Sequence, residues 1–416
     1  MKRKRRFLFV AVPGLALTTL IALIIVFLAE SGDGEVPLPP LAPISEEQRA
    51  GLLTYLDERG LPPADYLLAK FEDYDVVLLG ELHRIRHDPL FVQNLIPRLY
   101  DRGIRVLGFE FVYTEDQSDV DRLLSGEAYD EELAIDILRR PGGIWPFQEY
   151  LDVFKAVWRL NSNLPPEAEP FRLAGLGPRV DFEKLRFGTD EERSEQRRRL
   201  SSGDSVYAAV IERESLERDE KMLVYLGRHH AFSRFEQPNL NGDYEFIGSF
   251  SQRRTGQRLR AKYPGRVVTV MLHAPFWSPS YWTWILPFGG VIDQVYAEHR
   301  SPVGFDVEGS PFAEASDSLS MYALGHGQIT LSDFCDGYIV IDSIASYRGA
   351  TTVPEWFEGM SFSEFKRQLP RDLPFFVVHP RIFLWILNED ASGMTNRFKA
   401  LARQLAASQS VGGVSE

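Results

Sequence analysis

Four of the eight histidines in this chain stand just past short apolar runs of the length of a β-strand. Val76–Leu79 leads into Gly80-Glu81-Leu82-His83, Met222–Leu226 into Gly227-Arg228-His229-His230, and Val267–Leu272 into His273. A further run, RVLGFEF, carries Glu110 at its end, and Tyr338–Ile341 is followed by Asp342. A single histidine in such a place is usually a hydrogen-bonded structural residue. Two Gly-x-x-His turns together with a carboxylate at a third strand end have the pattern of a shared polar pocket, with glycine allowing a tight turn and close backbone approach. Such a pocket offers two chemistries. His83, Glu110 and His230 form a donor set for a divalent metal (zinc, manganese or iron), which would make bound water a nucleophile near neutral pH. Without metal, His83 or His230 serves as general base, oriented by Glu81 or Glu110. Of the neighbours His229 and His230, only one can point into a given pocket, and the spacing favours His230. An HExxH helix, a Gly-x-Ser-x-Gly elbow and a phosphate loop are all absent, which removes the common zinc-peptidase, serine-hydrolase and P-loop designs.

These residues require a scaffold that gathers strand ends. Helical periodicity lies between several apolar runs: Leu90, Val92, Leu95, Ile96 and Leu99 share a face before Gly103, as do Leu151, Phe154, Val157 and Trp158. Strands that are apolar throughout and alternate with helices imply an α/β fold, with a mainly parallel sheet covered by helices on both faces. Ligands of such sheets bind beyond the carboxyl ends of the strands. Ser45-Glu46-Glu47-Gln48 reads as a capping box opening a helix toward Glu58. The loop GFDVEGSPF (Gly304–Phe312) and His326 in GHGQ read as surface, the Arg197-Arg198-Arg199 run as a solvated helix face, and Cys335 as a buried filler.

The chain has 416 residues, 44% hydrophobic and 25% charged, a composition that excludes disorder throughout and a multi-spanning membrane protein. Net charge is −13, and the five basic residues among the first six leave −18 on the remainder. So acidic a body makes nucleic acid a poor partner. With a single cysteine there is neither an internal disulfide framework nor a thiolate metal cluster. Residues 7–28 carry no charge and match the thickness of a bilayer core, with Lys2–Arg6 on one flank and Glu30 and Asp33 on the other. They are expected to form a transmembrane signal anchor, with residues 1–6 cytoplasmic and the main domain extracytoplasmic; the alternative is a cleaved signal peptide. Residues 29–44 are a Pro- and Gly-rich linker. An α/β domain follows over 45–290, with an extension over 291–400 that completes it and a tail over 401–416.

The order of motifs resembles a known superfamily. VVLLGELH (Val76–His83) and GFEF (Gly108–Phe111) are similar to the superfamily of ChaN-like haem-binding proteins, TIKI/TraB proteases and erythromycin esterases. The stretch from Gln117 to Leu124, Gly126-Glu127, Glu131-Glu132-Leu133, Trp145 and Tyr150 is closest to the ChaN-like branch. RLAGLGPR (Arg172–Arg179), Arg218-Asp219 with Met222, and GRHH (Gly227–His230) continue it. The similarity spans Asp75 to His230, more loosely to His273, and nothing beyond Trp277 carries it. The resemblance implies a site of Glu81, His83, Glu110 and His230 with Arg218 as charge partner. The TIKI branch implies metal-dependent peptide hydrolysis, the esterase branch His/Glu-assisted lactone hydrolysis, and the ChaN-like branch haem binding in iron uptake. Three readings stand: a hydrolase of peptide or ester bonds, a haem-binding module, or a non-catalytic scaffold. In the haem reading the ligand contacts are Tyr113, Tyr150 and His273, with Trp145 and the cluster Phe276, Trp277, Tyr281, Trp282 and Trp284 as walls; the competing role for that cluster is core packing or a membrane-facing edge.

Overall fold

In the apolar run that starts at Val76, odd and even residues are equally buried, so this strand must be covered on both faces. The computed structural model, which describes residues 37–369 and 379–411, shows how. The main strands and the hairpins beside them are β1 (Val76–Glu81), β2 (Val106–Tyr113), β3 (Arg172–Gly177), β4 (Met222–Gly227), β5 (Gln237–Leu240), β6 (Phe246–Ser251), β7 (Val267–Leu272), β8 (Phe276–Ser278), β9 (Thr283–Ile285), β10 (Val303–Asp306) and β11 (Gly337–Val340). Seven form one sheet in the order β10-β11-β7-β1-β4-β2-β3. All its pairings are parallel except β10 with β11, which is antiparallel.

The helices that cover the sheet include α1 (Glu46–Arg59), α2 (Pro63–Asp73), α3 (His87–Asp101), α4 (Gln148–Ser162), α5 (Gly203–Ile211), the single turn α6 (Arg228–Ala231), α7 (Thr255–Lys262), α8 (Val291–His299) and the long α9 (Pro380–Val411). Val77 and Leu79 join the core beneath α2, α3 and α4. Val76 and Leu78 join the core beneath α1, α5, α7 and α8. The two-residue period of the strand thus feeds two separate cores. The Ser45 capping box is present, with Gln48 closing it.

The expected runs appear as β1, β2, β3, β4, β7 and β11. The segment Gly304–Phe312, read as a loop, begins instead inside β10. This edge strand is only four residues long and ends in an exposed aspartate, features that blunt both its sequence signal and its tendency to pair with other chains. Residues 303–306 and 337–340, both within the expected extension over 291–400, lie in the same sheet as β1. The basic tip, the anchor at 7–28 and the first part of the linker lie outside the described residues. Among the described residues no helix is long and apolar enough to cross a membrane.

Candidate active site

β1 is buried along its length and ends on Glu81, whose side chain is 1% exposed at the carboxyl edge of the sheet. A carboxylate so placed needs donors, and three converge on it. The Tyr150 hydroxyl from α4 lies 2.9 and 3.0 Å from its two oxygens, the Tyr225 hydroxyl from neighbouring β4 also donates to it, and His83 Nδ1 is 2.6 Å away. Tyr150 in turn accepts a hydrogen bond from the Arg84 amide at 2.8 Å. Arg84 has φ +73°, so this bond secures the sharp turn that follows His83. Burial, then the Glu81 charge, pushes both tyrosine hydroxyls well above their usual pKa, which keeps them donors.

With Nδ1 turned to Glu81, His83 presents Nε2 outward. The ring stands edge-on to Trp145 and Phe111, at 4.8 and 5.5 Å between centroids, and its side chain keeps 33% exposure. Its Nε2 lies 4.0 Å from Glu110 Oε1. Glu110 comes from β2 at a point where the pairing of β2 with β3 loses register between Phe109 and Tyr113. Irregularities of this kind re-aim side chains near strand ends. The Gly227 amide donates to Glu110 Oε2 at 2.5 Å. A β-carbon at Gly227 would sit 2.7 Å from His83 Nε2, so the His83 ring keeps this position only beside a glycine.

His230, in α6, reaches the same carboxylate from the other side, with Nε2 3.5 Å from Glu110 Oε1. Its Nδ1 is 2.8 Å from Asp204 at the start of α5. Burial opposes a charge on His230, but the Glu110 carboxylate and the Asp204 hydrogen bond outweigh it and raise its pKa. Burial also pushes the Asp204 carboxyl up. His230, Thr255 and Arg254 overcome that and bring it down to about 2. His229 faces away, with Nε2 2.9 Å from the Tyr322 hydroxyl, and burial holds its pKa well below the usual value. The arrangement therefore contains two imidazoles, each held at Nδ1 by its own carboxylate and each directing Nε2 to a third carboxylate between them.

Glu81, His83, Glu110 and His230 are thus brought together. Arg218 is not. It precedes β4, pairs with Glu214 at 3.2 Å, and sits at the amino edge of the sheet. A six-residue strand, roughly 20 Å at ~3.3 Å per residue, separates it from Gly227, so the role expected for it at the pocket is withdrawn. The residues expected to contact haem do not fit one either. Tyr150 has no exposed surface and is committed to Glu81. His273 is enclosed between Tyr338 and Asp293, at 3.0 and 3.1 Å. Tyr113 is buried, which pushes its pKa up to about 12. His83, Glu110 and His230, the residues expected to hold a metal, lie together, although among the described residues no three His, Cys, Asp or Glu side chains already stand as a metal site.

Sequence reasoning missed Asp204 and Tyr225. Tyr225 had a visible signal, a hydroxyl in an otherwise apolar strand two residues before the Gly-x-x-His turn. Asp204 had none, since it arrives from a distant charged segment. Asp88, fully buried in the first turn of α3, was also missed; burial, then the Glu81 charge, raises its pKa well above the usual range.

The fold and site define a class: an α/β domain with paired imidazoles and carboxylates at the carboxyl edge of its sheet. Residues 67–164 match the family described as haem-binding uptake, Tiki superfamily, ChaN, which agrees with the resemblance carried by the GELH and GFEF motifs. Among solved structures, a Bacillus cereus protein aligns with TM-score 0.48 and 11% identity, covering 75% of this chain and 100% of that one. An erythromycin esterase mutant in its open conformation aligns with TM-score 0.39 and 12% identity, over 68% and 97% of the two chains. ChaN of Campylobacter jejuni, solved with cofacially bound haem, aligns with TM-score 0.33 and 14% identity, over 50% and 86%. No curated protein sequence matches the chain.

Proposed function

We propose that this protein hydrolyses an ester or amide bond by His/Glu-assisted activation of water. The observation that carries the reading is the pair of Nε2 atoms, of His83 and His230, directed at Glu110 Oε1 from 4.0 and 3.5 Å. His83 donates Nδ1–H to Glu81, which leaves Nε2 with its lone pair as general base. It takes a proton from water as the water oxygen attacks the carbonyl carbon and the carbonyl electron pair moves to oxygen. Glu81 supports the imidazolium that results. When the tetrahedral adduct collapses, His230, kept protonated by Glu110 and Asp204, gives its proton to the leaving oxygen or nitrogen. Glu110, between the rings, returns the proton from His83 to His230 and resets the site. No step passes through a metal.

The purified full chain, offered aryl esters and fluorogenic peptides, should show turnover that survives a chelator. His83→Ala and His230→Gln should each lose at least about 100-fold in kcat/KM, the usual scale for losing a general acid or base. Turnover abolished by chelation and restored by a divalent ion would transfer the chemistry to a metal.

The family match over residues 67–164 favours a second reading, haem binding. Since Tyr113, Tyr150 and His273 are interior, the iron ligand in that reading is His83, the more open imidazole of the site. A Soret shift with haemin that disappears in His83→Ala supports it; no shift removes it. In either reading we propose that residues 7–28 anchor the chain, with the domain outside the cytoplasm. The support is their uncharged length and the basic cluster before them.

A further inference from the structure

Two hairpins that spring from the carboxyl edge of the sheet bear aromatic residues for which the proposed chemistry has no use. In β8–β9, Trp277 pairs with Trp284, and the turn carries Trp282, 61% exposed. The β5–β6 turn brings in Tyr244, 39% exposed, its ring 5.7 Å from Trp277 and 5.8 Å from Trp282. Ile247, 58% exposed, is on the same hairpin. Exposed Leu319 borders β8, its carbonyl accepting a hydrogen bond from the Ser278 hydroxyl at 2.7 Å. The rings of Tyr244, Trp277 and Trp282 touch one another, and exposed aromatic surface of this kind marks a contact site. The backbone adds a second observation. Tyr244 and Trp282 have φ of +61° and +52°, a region bulky side chains avoid and glycine accepts. Both hairpin tips keep an aromatic ring where glycine would be easier.

The path of the chain indicates what covers this surface. Leu38 and Leu41 pack into the apolar cluster that includes Trp284 and Leu286. The Ala42 amide donates to the Gly289 carbonyl at 2.8 Å, and the Gln404 side chain to the Pro39 carbonyl at 2.5 Å. The first described residues are therefore fixed against the base of the tryptophan hairpin. Nine residues lead from Leu28, at the end of the uncharged stretch, to Pro37. They span at most about 32 Å, a tether short enough to hold the patch at high effective concentration beside a bilayer. Tryptophan and tyrosine are the side chains that settle at the lipid–water interface. The acidic body, −18 beyond the first six residues, gives anionic lipid no attraction to add.

We propose that Trp277, Trp282, Tyr244, Ile247 and Leu319 form a docking surface for the outer face of the bilayer in which the chain is anchored. Docking turns the carboxyl edge of the sheet, with Glu81 and His83, toward substrates held at the lipid surface. This inference rests on the anchor reading, and the test separates the two.

The full chain is reconstituted in phosphatidylcholine vesicles containing lipids brominated in the upper acyl chain, and tryptophan emission is recorded. The anchor segment contains no tryptophan, so quenching reports the folded domain. The comparison is a Tyr244→Gly, Trp282→Gly double variant, which relieves both positive φ angles and should keep its melting temperature. Expected is quenching of the parent chain that resists added salt and is largely lost in the variant, while both float with the vesicles. Equal fractional quenching in the two, or none in either, overturns the docking surface and leaves the anchor standing. Cross-linking of two copies through Trp282 without quenching overturns it in favour of self-association. A chain that does not float overturns the anchor, and the docking surface with it.

Discussion

At the scale of single residues the site is governed by who holds each imidazole proton. His230 has its pKa raised, so its contribution to stability is complete below the ordinary histidine value and disappears as pH rises through the raised one. The melting-temperature difference between the parent chain and His230→Gln should therefore shrink with rising pH on the alkaline side. Asp204 shows the opposite sign. Its stabilisation is present above 3.8 and is lost as pH falls toward about 2. Because Asp204 helps keep the proton on His230, Asp204→Asn should move the alkaline limb of the kcat/KM profile to lower pH while activity below that limb persists. A limb that stays in place would remove His230 as the acid. Glu81, His83, Glu110 and His230 were legible from the sequence because each stands at the end of an apolar run or follows one by two to four residues. Asp204, which follows no such run, was not.

At the scale of elements, the turn after β4 couples two strand ends through a glycine. In Gly227→Ala the new methyl would press on the outer edge of the His83 ring, 2.6 Å from Cε1. An imidazole at the end of a side chain can swing aside, so the fold should survive with little change in melting temperature. The displaced base should cost on the order of 100-fold in kcat/KM. A different glycine contact holds the far edge of the sheet. Tyr66 of α2 lies against Gly304 and Gly337 and gives its hydroxyl to Asp306 at 2.8 Å. Gly337→Ala would drive a methyl into that hydroxyl, and urea unfolding should show a loss of about 1–3 kcal/mol, the usual range for overpacking. The buried parallel strands were readable as continuous apolar runs. β10 was not, since Val303-Gly304-Phe305-Asp306 has neither the length nor the uniform apolar character of an interior strand.

At the scale of the whole molecule, one sheet draws strands from residue 76 to residue 340, and both of its faces are closed by helices. A chain ending at residue 290 would lack β10 and β11 and bare the flank of β7. It should show no cooperative thermal transition, whereas the full chain should show one. The continuity of the sheet could not be read from the family resemblance, which fades past Trp277; it depends on Tyr338–Ile341, a run too short to reveal its neighbour without the structure. What that sheet accomplishes is to deliver Glu81, Glu110 and the Gly227 turn to one edge from three adjacent strands. In the proposed mechanism Glu81 sets His83 up as a base for hydrolysis. This role is tested most directly by steady-state kinetics of Glu81→Gln against the parent chain on a substrate the parent turns over, with melting temperature as the structural control. In Glu81→Gln, kcat/KM should fall at least about 100-fold with KM and melting temperature little changed. Undiminished turnover by a folded Glu81→Gln variant would contradict that role.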